Sequence, residues 1–157
     1  MGWFTKKESR SELTLEIEKL SSNPSVNNQK SFARTLTNYV EDNIWVPMPI
    51  LEDQKGYKLK IVQNRGKHFA AMYSDNIHAK KESEFNIAVT DINKLIEAVF
   101  QNPHIDGIVI NPYTTSLCLE KGYLLKCLLH AKYPEQKMLD ALPKIGEKEF
   151  RTIPRVI

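Results

Sequence analysis

The sequence predicts an α/β (α+β) domain: a mixed sheet of about five to six strands with a β-hairpin, and helices packed against it. Three observations carry that expectation. The first is the string HIDGIVINPYTTSLCL, residues 104–119. It holds the apolar run Ile108, Val109, Ile110 between an Asp-Gly and an Asn-Pro. Branched side chains are stiff at χ1 and pack well on a pleated sheet. A continuous run of them suits a strand covered on both faces, because an alternating strand leaves one face wet. Gly107 can take φ > 0 or admit a second backbone at close range. Asn111 bonds its own backbone locally and Pro112 removes a ladder donor, so the strand stops sharply. The second observation is the alternation of YKLKIVQ, the turn NRGK and the return HFAAMYS, an antiparallel hairpin with Gly66 at the tip. The third is the strand FNIAV followed by the helix DINKLIEAVFQN, directly before the apolar run. Residues 85–111 then form a strand–helix–strand unit, which implies a crossover connection and some parallel pairing.

The totals narrow the function classes. A chain of 157 residues is long enough for one domain with a real core. Its 41% hydrophobic and 26% charged residues are ordinary for a globular protein. A net charge of +3 is too weak to imply a nucleic-acid partner. No apolar run approaches the roughly 20 residues of a membrane span. The opening MGWFTKKESRSE turns charged at once, without a signal-peptide core, and Lys6 stands where a myristoylation signal wants Ser or Thr. The expected location is the cytoplasm. Two cysteines do not make a secreted disulfide framework.

Along the chain, residues 1–10 read as a flexible tail, residues 11–132 as the domain, and residues 133–157 as a C-terminal extension holding a short helix and a last strand. Ser11 caps a first helix with Leu13, Ile17 and Leu20 on one face. SSNPSVNN is a loop by composition, and a second helix over QKSFARTLTNYVED carries Phe32, Leu36, Tyr39 and Val40. In IWVPMPI, Pro47 and Pro49 are two apart, so their missing N–H groups lie on one side; this implies an edge strand, with Trp45 in the core. Phe69, Ala71 and Tyr73 are expected on the inner face of the hairpin, and residues 74–84 hold a short helix. Thr90 caps the helix whose buried stripe is Ile92, Leu95, Ile96 and Val99, and Asn102-Pro103 ends it. SLCL is a short strand. The helix after it, about residues 120–132, has an apolar face of Leu124, Leu125, Leu128 and Leu129.

In this order the chain resembles the N-terminal domain of the SseB family. The resemblance covers about residues 10–130 and rests on three strings: IWVPMPI after a helical lead-in, a hairpin ending HFAAMYSD, and DGIVINP followed by a short strand and a helix. Met72-Tyr73-Ser74 departs from the aromatic-Thr-Ser string that the family tends to show. The resemblance implies an α/β domain of bacterial proteins with an accessory or interaction role, and no biochemical activity.

No residue set reads as catalytic. A zinc site from His104, Cys118, Cys127 and His130 has only one tight pair, where two are usual, so the cysteines are expected to pack as small hydrophobes. Cys118 sits in an apolar strand with nothing to hold a thiolate. Ser116 lacks a nucleophile elbow, and nothing orients His68 and Asp75 as a base pair. Lys58, Lys60, Arg65, Lys67 and His68 line one hairpin without an aromatic RNA-binding signature, so a nucleic-acid module is the third reading. No clustered glycines cradle a phosphate. The expected binding site is the turn built by Asp106, Gly107, Asn111, Pro112, Tyr113, Thr114 and Thr115, because ligands often sit at strand ends in α/β sheets. The leading expectation is a non-enzymatic protein that binds a protein partner there, with no cofactor and no metal. The alternative is a small-molecule-binding or hydrolytic enzyme using the Asn111-Pro112 turn.

Overall fold

The computed structural model describes residues 11–53, 56–81, 86–130 and 155–156. The expected tail over 1–10, the helix at MLDAL and the side chains of Tyr57, Leu128, Leu129 and His130 lie outside the described residues. The fold is α+β, as the sequence predicts, but the strands divide between two sheets instead of one.

Helix α1 (Glu12–Ser22) starts at Ser11, whose Oγ accepts from the Thr14 N–H at 3.0 Å. Leu13, Ile17 and Leu20 are buried, so the expected stripe faces the core. Helix α2 (Val26–Glu41) begins earlier than composition suggests, because Ser25 caps it by accepting from the Asn28 N–H. The loop is thereby cut to three residues, 23–25. Asn43, at φ 51°, turns the chain out of α2.

Strand β1 (Trp45–Asp53) is not an edge strand, contrary to the proline argument. It lies between β2 (Gly56–Leu59) and β5 (Asn86–Asp91) in a three-stranded antiparallel sheet. The prolines are tolerated for a related reason. The ladder to β2 begins only at Ile50, so over residues 45–49 β1 pairs with β5 alone. On the other side the Pro47 carbonyl accepts from the Tyr73 N–H at 2.8 Å. A strand residue points its N and its carbonyl to the same side, so the missing donors face away from the β5 ladder.

The expected hairpin strand breaks at Lys60. Its first half is β2, and its second half, β3 (Ile61–Asn64), turns at Arg65 and Gly66 into β4 (Lys67–Met72) in the other sheet. That sheet has the order β3-β4-β6-β7-β8, with β6 (Gly107–Ile110), β7 (Leu117–Glu120) and β8 (Arg155–Val156). Only β4 and β6 are parallel in it. The predicted crossover therefore exists with a different first strand. It leaves β4, passes through α3 (Asn76–Lys80), β5 and α4 (Ile92–Gln101), and returns as β6, while β5 joins the smaller sheet. Asp91, and not Thr90, caps α4 by accepting from the Asn93 N–H. Helix α5 (Lys121–His130) follows β7 directly.

The main core lies between the helices and one face of the sheets. Leu13, Phe32, Leu36, Leu95, Ile96 and Leu124 meet Ala70, Met72, Ile108, Ile110, Leu117 and Leu119. Phe69, Ala71, Val109 and Cys118 form a second buried cluster on the opposite face. The Ile-Val-Ile run is therefore buried on both sides, as its composition requires. Phe69 and Ala71, expected on the inner face, belong instead to the smaller cluster, and Ala70 and Met72 face the helices.

Candidate functional site

The turn after β6 is built around Asn111, which is buried and sits at φ 55°. Its N–H donates to the Met72 carbonyl at 2.9 Å, and its carbonyl accepts from the Thr114 and Ser116 N–H groups at 3.1 and 2.8 Å. Both ends of its side-chain amide are bonded to Ser74. Oδ1 accepts from the Ser74 N–H at 3.0 Å, and Nδ2 donates to Ser74 Oγ at 2.8 Å. Pro112 is buried, and its carbonyl accepts from Ser116 Oγ. Tyr113 and Thr114 face outward, with Tyr113 50% exposed. Thr115 Oγ1 is buried with no hydrogen-bond partner among the described residues.

The seven residues expected to form one site are split by the length of β6. Asn111, Pro112, Tyr113, Thr114 and Thr115 follow its C-terminal end; Asp106 and Gly107 stand at its start. Asp106 works there as a clamp on β4: its N–H donates to the His68 carbonyl at 2.7 Å and its Oδ2 accepts from the His68 N–H at 2.8 Å. Burial lowers the pKa of the adjacent Lys121 ammonium, and the Asp106 charge opposes that shift. Of glycine's two uses, Gly107 serves close approach: an added Cβ would lie 2.0 Å from the Leu119 carbonyl oxygen.

The parallel strands β4 and β6 end together, and a polar network that the sequence did not reveal gathers at those ends. Ser11 Oγ donates to the Ser74 carbonyl at 2.7 Å. Thr14 Oγ1 donates to Asp75 Oδ2 at 2.6 Å, which leaves Ser74 Oγ to donate to Thr14 Oγ1 at 2.5 Å. Asp75 Oδ1 accepts from the His78 N–H and from His78 Nδ1, both at 2.8 Å. Burial alone would raise the Asp75 carboxyl, but the Thr14 hydroxyl and the His78 backbone and ring donors outweigh it and hold it below its ordinary value. His68 is no partner of Asp75, since it stands at the other end of β4; His78 takes that place. An oriented Asp–His pair needs a nucleophile to act in acyl transfer. Here the Thr14 hydroxyl bonds to the carboxylate and the Ser74 hydroxyl to Thr14 and Asn111, so the network ties α1 to the ends of β4 and β6.

The other candidates disperse. Cys118 lies in the smaller cluster and Cys127 in the main core, both as free thiols. Burial pushes the Cys127 thiol up to about 11. Among the described residues no group of three or more His, Cys, Asp or Glu is placed to hold a metal. Of the basic hairpin residues, Lys67 is paired with Glu120. No described helix is long and apolar enough to cross a membrane.

The strongest surface feature is the outward face of the three-stranded sheet. Val46 and Ile50 are buried on the core side of β1; on the opposite parity Pro47 and Pro49 are buried as well, and the exposed positions are the two ends, Trp45 and Leu51. Trp45, expected in the core, is 62% exposed. The strand is apolar at both parities, so alternation could not say which side is inside. On β5, Val89 is 54% exposed, and Ile87 and Leu51 are also open. Register places the buried Pro47 opposite Val89 and the buried Pro49 opposite Ile87, so the exposed β5 side chains flank the prolines on one face, with Trp45 diagonal to Val89.

No family model matches the chain, and neither a curated protein nor a solved structure matches it.

Proposed function

We propose that the protein is a non-enzymatic accessory protein of the SseB type that binds a protein partner across the outward face of its three-stranded sheet. The single observation that carries this is the exposure of Trp45, Leu51, Ile87 and Val89 around the buried Pro47 and Pro49 on one face of two paired strands. Fully burying an aliphatic side chain is worth about 1.5–3 kcal/mol, so leaving four apolar groups in water forgoes stability that a partner can recover. Trp is also the residue type most often dominant in protein interfaces. The 111–115 turn contributes a second contact through Tyr113 and Thr114, while Asn111 and Pro112 hold its shape from beneath. The string DGIVINP and the element order support the family assignment. The two buried free thiols suit a reducing cytoplasm.

This reading weighs against an enzyme at the Asn111-Pro112 turn, because both amide groups of Asn111 are spent on Ser74. The test is capture from a native extract with the full chain as bait, followed by rebinding of the purified partner to the parent and to Trp45→Ser/Val89→Ser. Loss of about 30-fold or more in affinity by the folded variant is expected, the scale of a dominant interface residue. A partner bound equally by both would overturn the assignment of the surface. Self-association of the parent that the variant lacks would identify the partner as a second copy.

A further inference from the structure

A cleft of about 440 Å³ opens where the chain leaves one sheet for the other. Its polar lining is Lys58, His68, Asn102 and His104. Its apolar lining is Leu59, Ile61 and Ile105. It lies beside the start of β4, at the opposite end of that strand from the Asn111 network, and no residue of the proposed partner face lines it.

We infer that this cleft binds a small organic anion with an apolar body. Every polar side chain in the lining can donate a hydrogen bond, and none is a carboxylate. A ligand that brings acceptors and negative charge finds a side chain able to donate at each of these four positions. The apolar side chains bring the other half of the match. Ile105 is buried, and Leu59 and Ile61 are half-buried, packed on the main core from one side and open to the cleft on the other. The volume falls in the range of small-molecule sites, and a cleft with a few convergent polar groups over an apolar wall is their usual form.

The walls are held in place before any ligand arrives. His68 is fixed by two hydrogen bonds to Asp106. The His104 N–H donates to Asn102 Oδ1 at 2.9 Å, and the Ile105 N–H to the Asn102 carbonyl at 3.2 Å. Lys121 Nζ donates to that same carbonyl at 2.9 Å. Both histidine-bearing segments are therefore anchored to one loop, which lowers the ordering cost of binding. The carboxylate of Asp106 accepts from the His68 backbone, so it is turned to β4 and does not line the cleft.

Calorimetric titration of the full chain tests this with three probes: octanoate, octyl phosphate and octan-1-ol. Saturable binding of one equivalent of an anion is expected, about tenfold or more tighter than the alcohol, because a hydrogen bond to a charged group carries that scale of energy. The tighter of the two anions identifies the head group. His68→Asn/His104→Asn and Lys58→Met, each checked for folding by circular dichroism, should weaken anion binding by a similar factor. Trp45→Ser/Val89→Ser should bind as the parent does. The proposal is overturned if neither anion binds saturably, if octan-1-ol binds equally well, if the cleft variants match the parent, or if the sheet-face variant abolishes binding.

Discussion

Asn111 and Ser74 hold each other at two points: the amide oxygen takes the Ser74 N–H and the amide nitrogen reaches the Ser74 hydroxyl, at 3.0 and 2.8 Å. Asn111 follows β6 and Ser74 follows β4, so this pair closes the ends of the two parallel strands. Asn111→Ala would leave the buried Ser74 N–H without its acceptor, remove the donor to Ser74 Oγ and place alanine at φ 55°. A loss of about 2–4 kcal/mol in unfolding free energy is expected, read by urea denaturation. A loss under about 0.5 kcal/mol, the size of an ordinary surface change, would contradict the structural role. Tyr113→Ala, on the exposed part of the same turn, should stay within that surface range.

Gly107 packs against the β7 backbone, not against a side chain that can move away. An alanine Cβ would meet the Leu119 carbonyl oxygen at 2.0 Å and the Glu120 Cα at 2.9 Å. Gly107→Ala should therefore force β6 and β7 apart and cost about 3 kcal/mol, at the upper end of overpacking penalties. A thermal melt matching the parent would show that the strands are not so closely placed.

Asp75 links stability to acid. Its folded-state carboxyl titrates below the unfolded one, since the donors from Thr14 and His78 outweigh burial. The resulting stability is present above the unfolded value, about pH 4, and is lost as pH falls through the lower folded value. Asp75→Asn should be less stable than the parent at pH 7, and the gap should narrow as the pH falls below the unfolded value, about pH 4. A gap that stays constant as the pH falls would show that the carboxyl is not stabilised by its donors.

The two thiols should be silent in the native state. Cys118 and Cys127 are buried, and the Cys127 thiol is pushed up to about 11 by burial, so little thiolate forms at pH 8. Labelling with a disulfide reagent should be slow until denaturant is added, when both groups react. Rapid native labelling of Cys127 would contradict its place in the core.

Much of the fold was legible because local signals and tertiary packing agreed. Ser11 reads as a cap and is one; the 3.6-residue stripes of Leu13, Ile17, Leu20 and of Ile92, Leu95, Ile96, Val99 are buried as their spacing requires. The run Ile108, Val109, Ile110 shows burial on both faces in its composition alone. What failed needed partners distant in sequence. Nothing in YKLKIVQ marks Lys60 as the point where the chain changes sheets, and nothing in IWVPMPI says that β5 would cover the side of β1 away from its prolines. Trp45 was misplaced for the same reason, since a strand apolar at both parities does not state which side faces the helices. At the candidate site, Asn111 and Pro112 were recognised as turn-forming, but Asp106 and Gly107 were grouped with them by sequence proximity although a whole strand separates them. The Ser11–Thr14–Ser74–Asp75–His78 network joins segments some 60 residues apart. Its only local traces are the Ser11 to Thr14 and Asp75 to His78 spacings of helix caps.

The exposed face of the small sheet bears the central claim, and the most direct measurement is the binding isotherm of the purified partner against parent, Trp45→Ser and Leu15→Ser. Leu15 is an exposed apolar residue on α1 and controls for general stickiness. The account predicts a fall of about 30-fold or more for Trp45→Ser and no change beyond about twofold for Leu15→Ser. Equal binding by all three would contradict it.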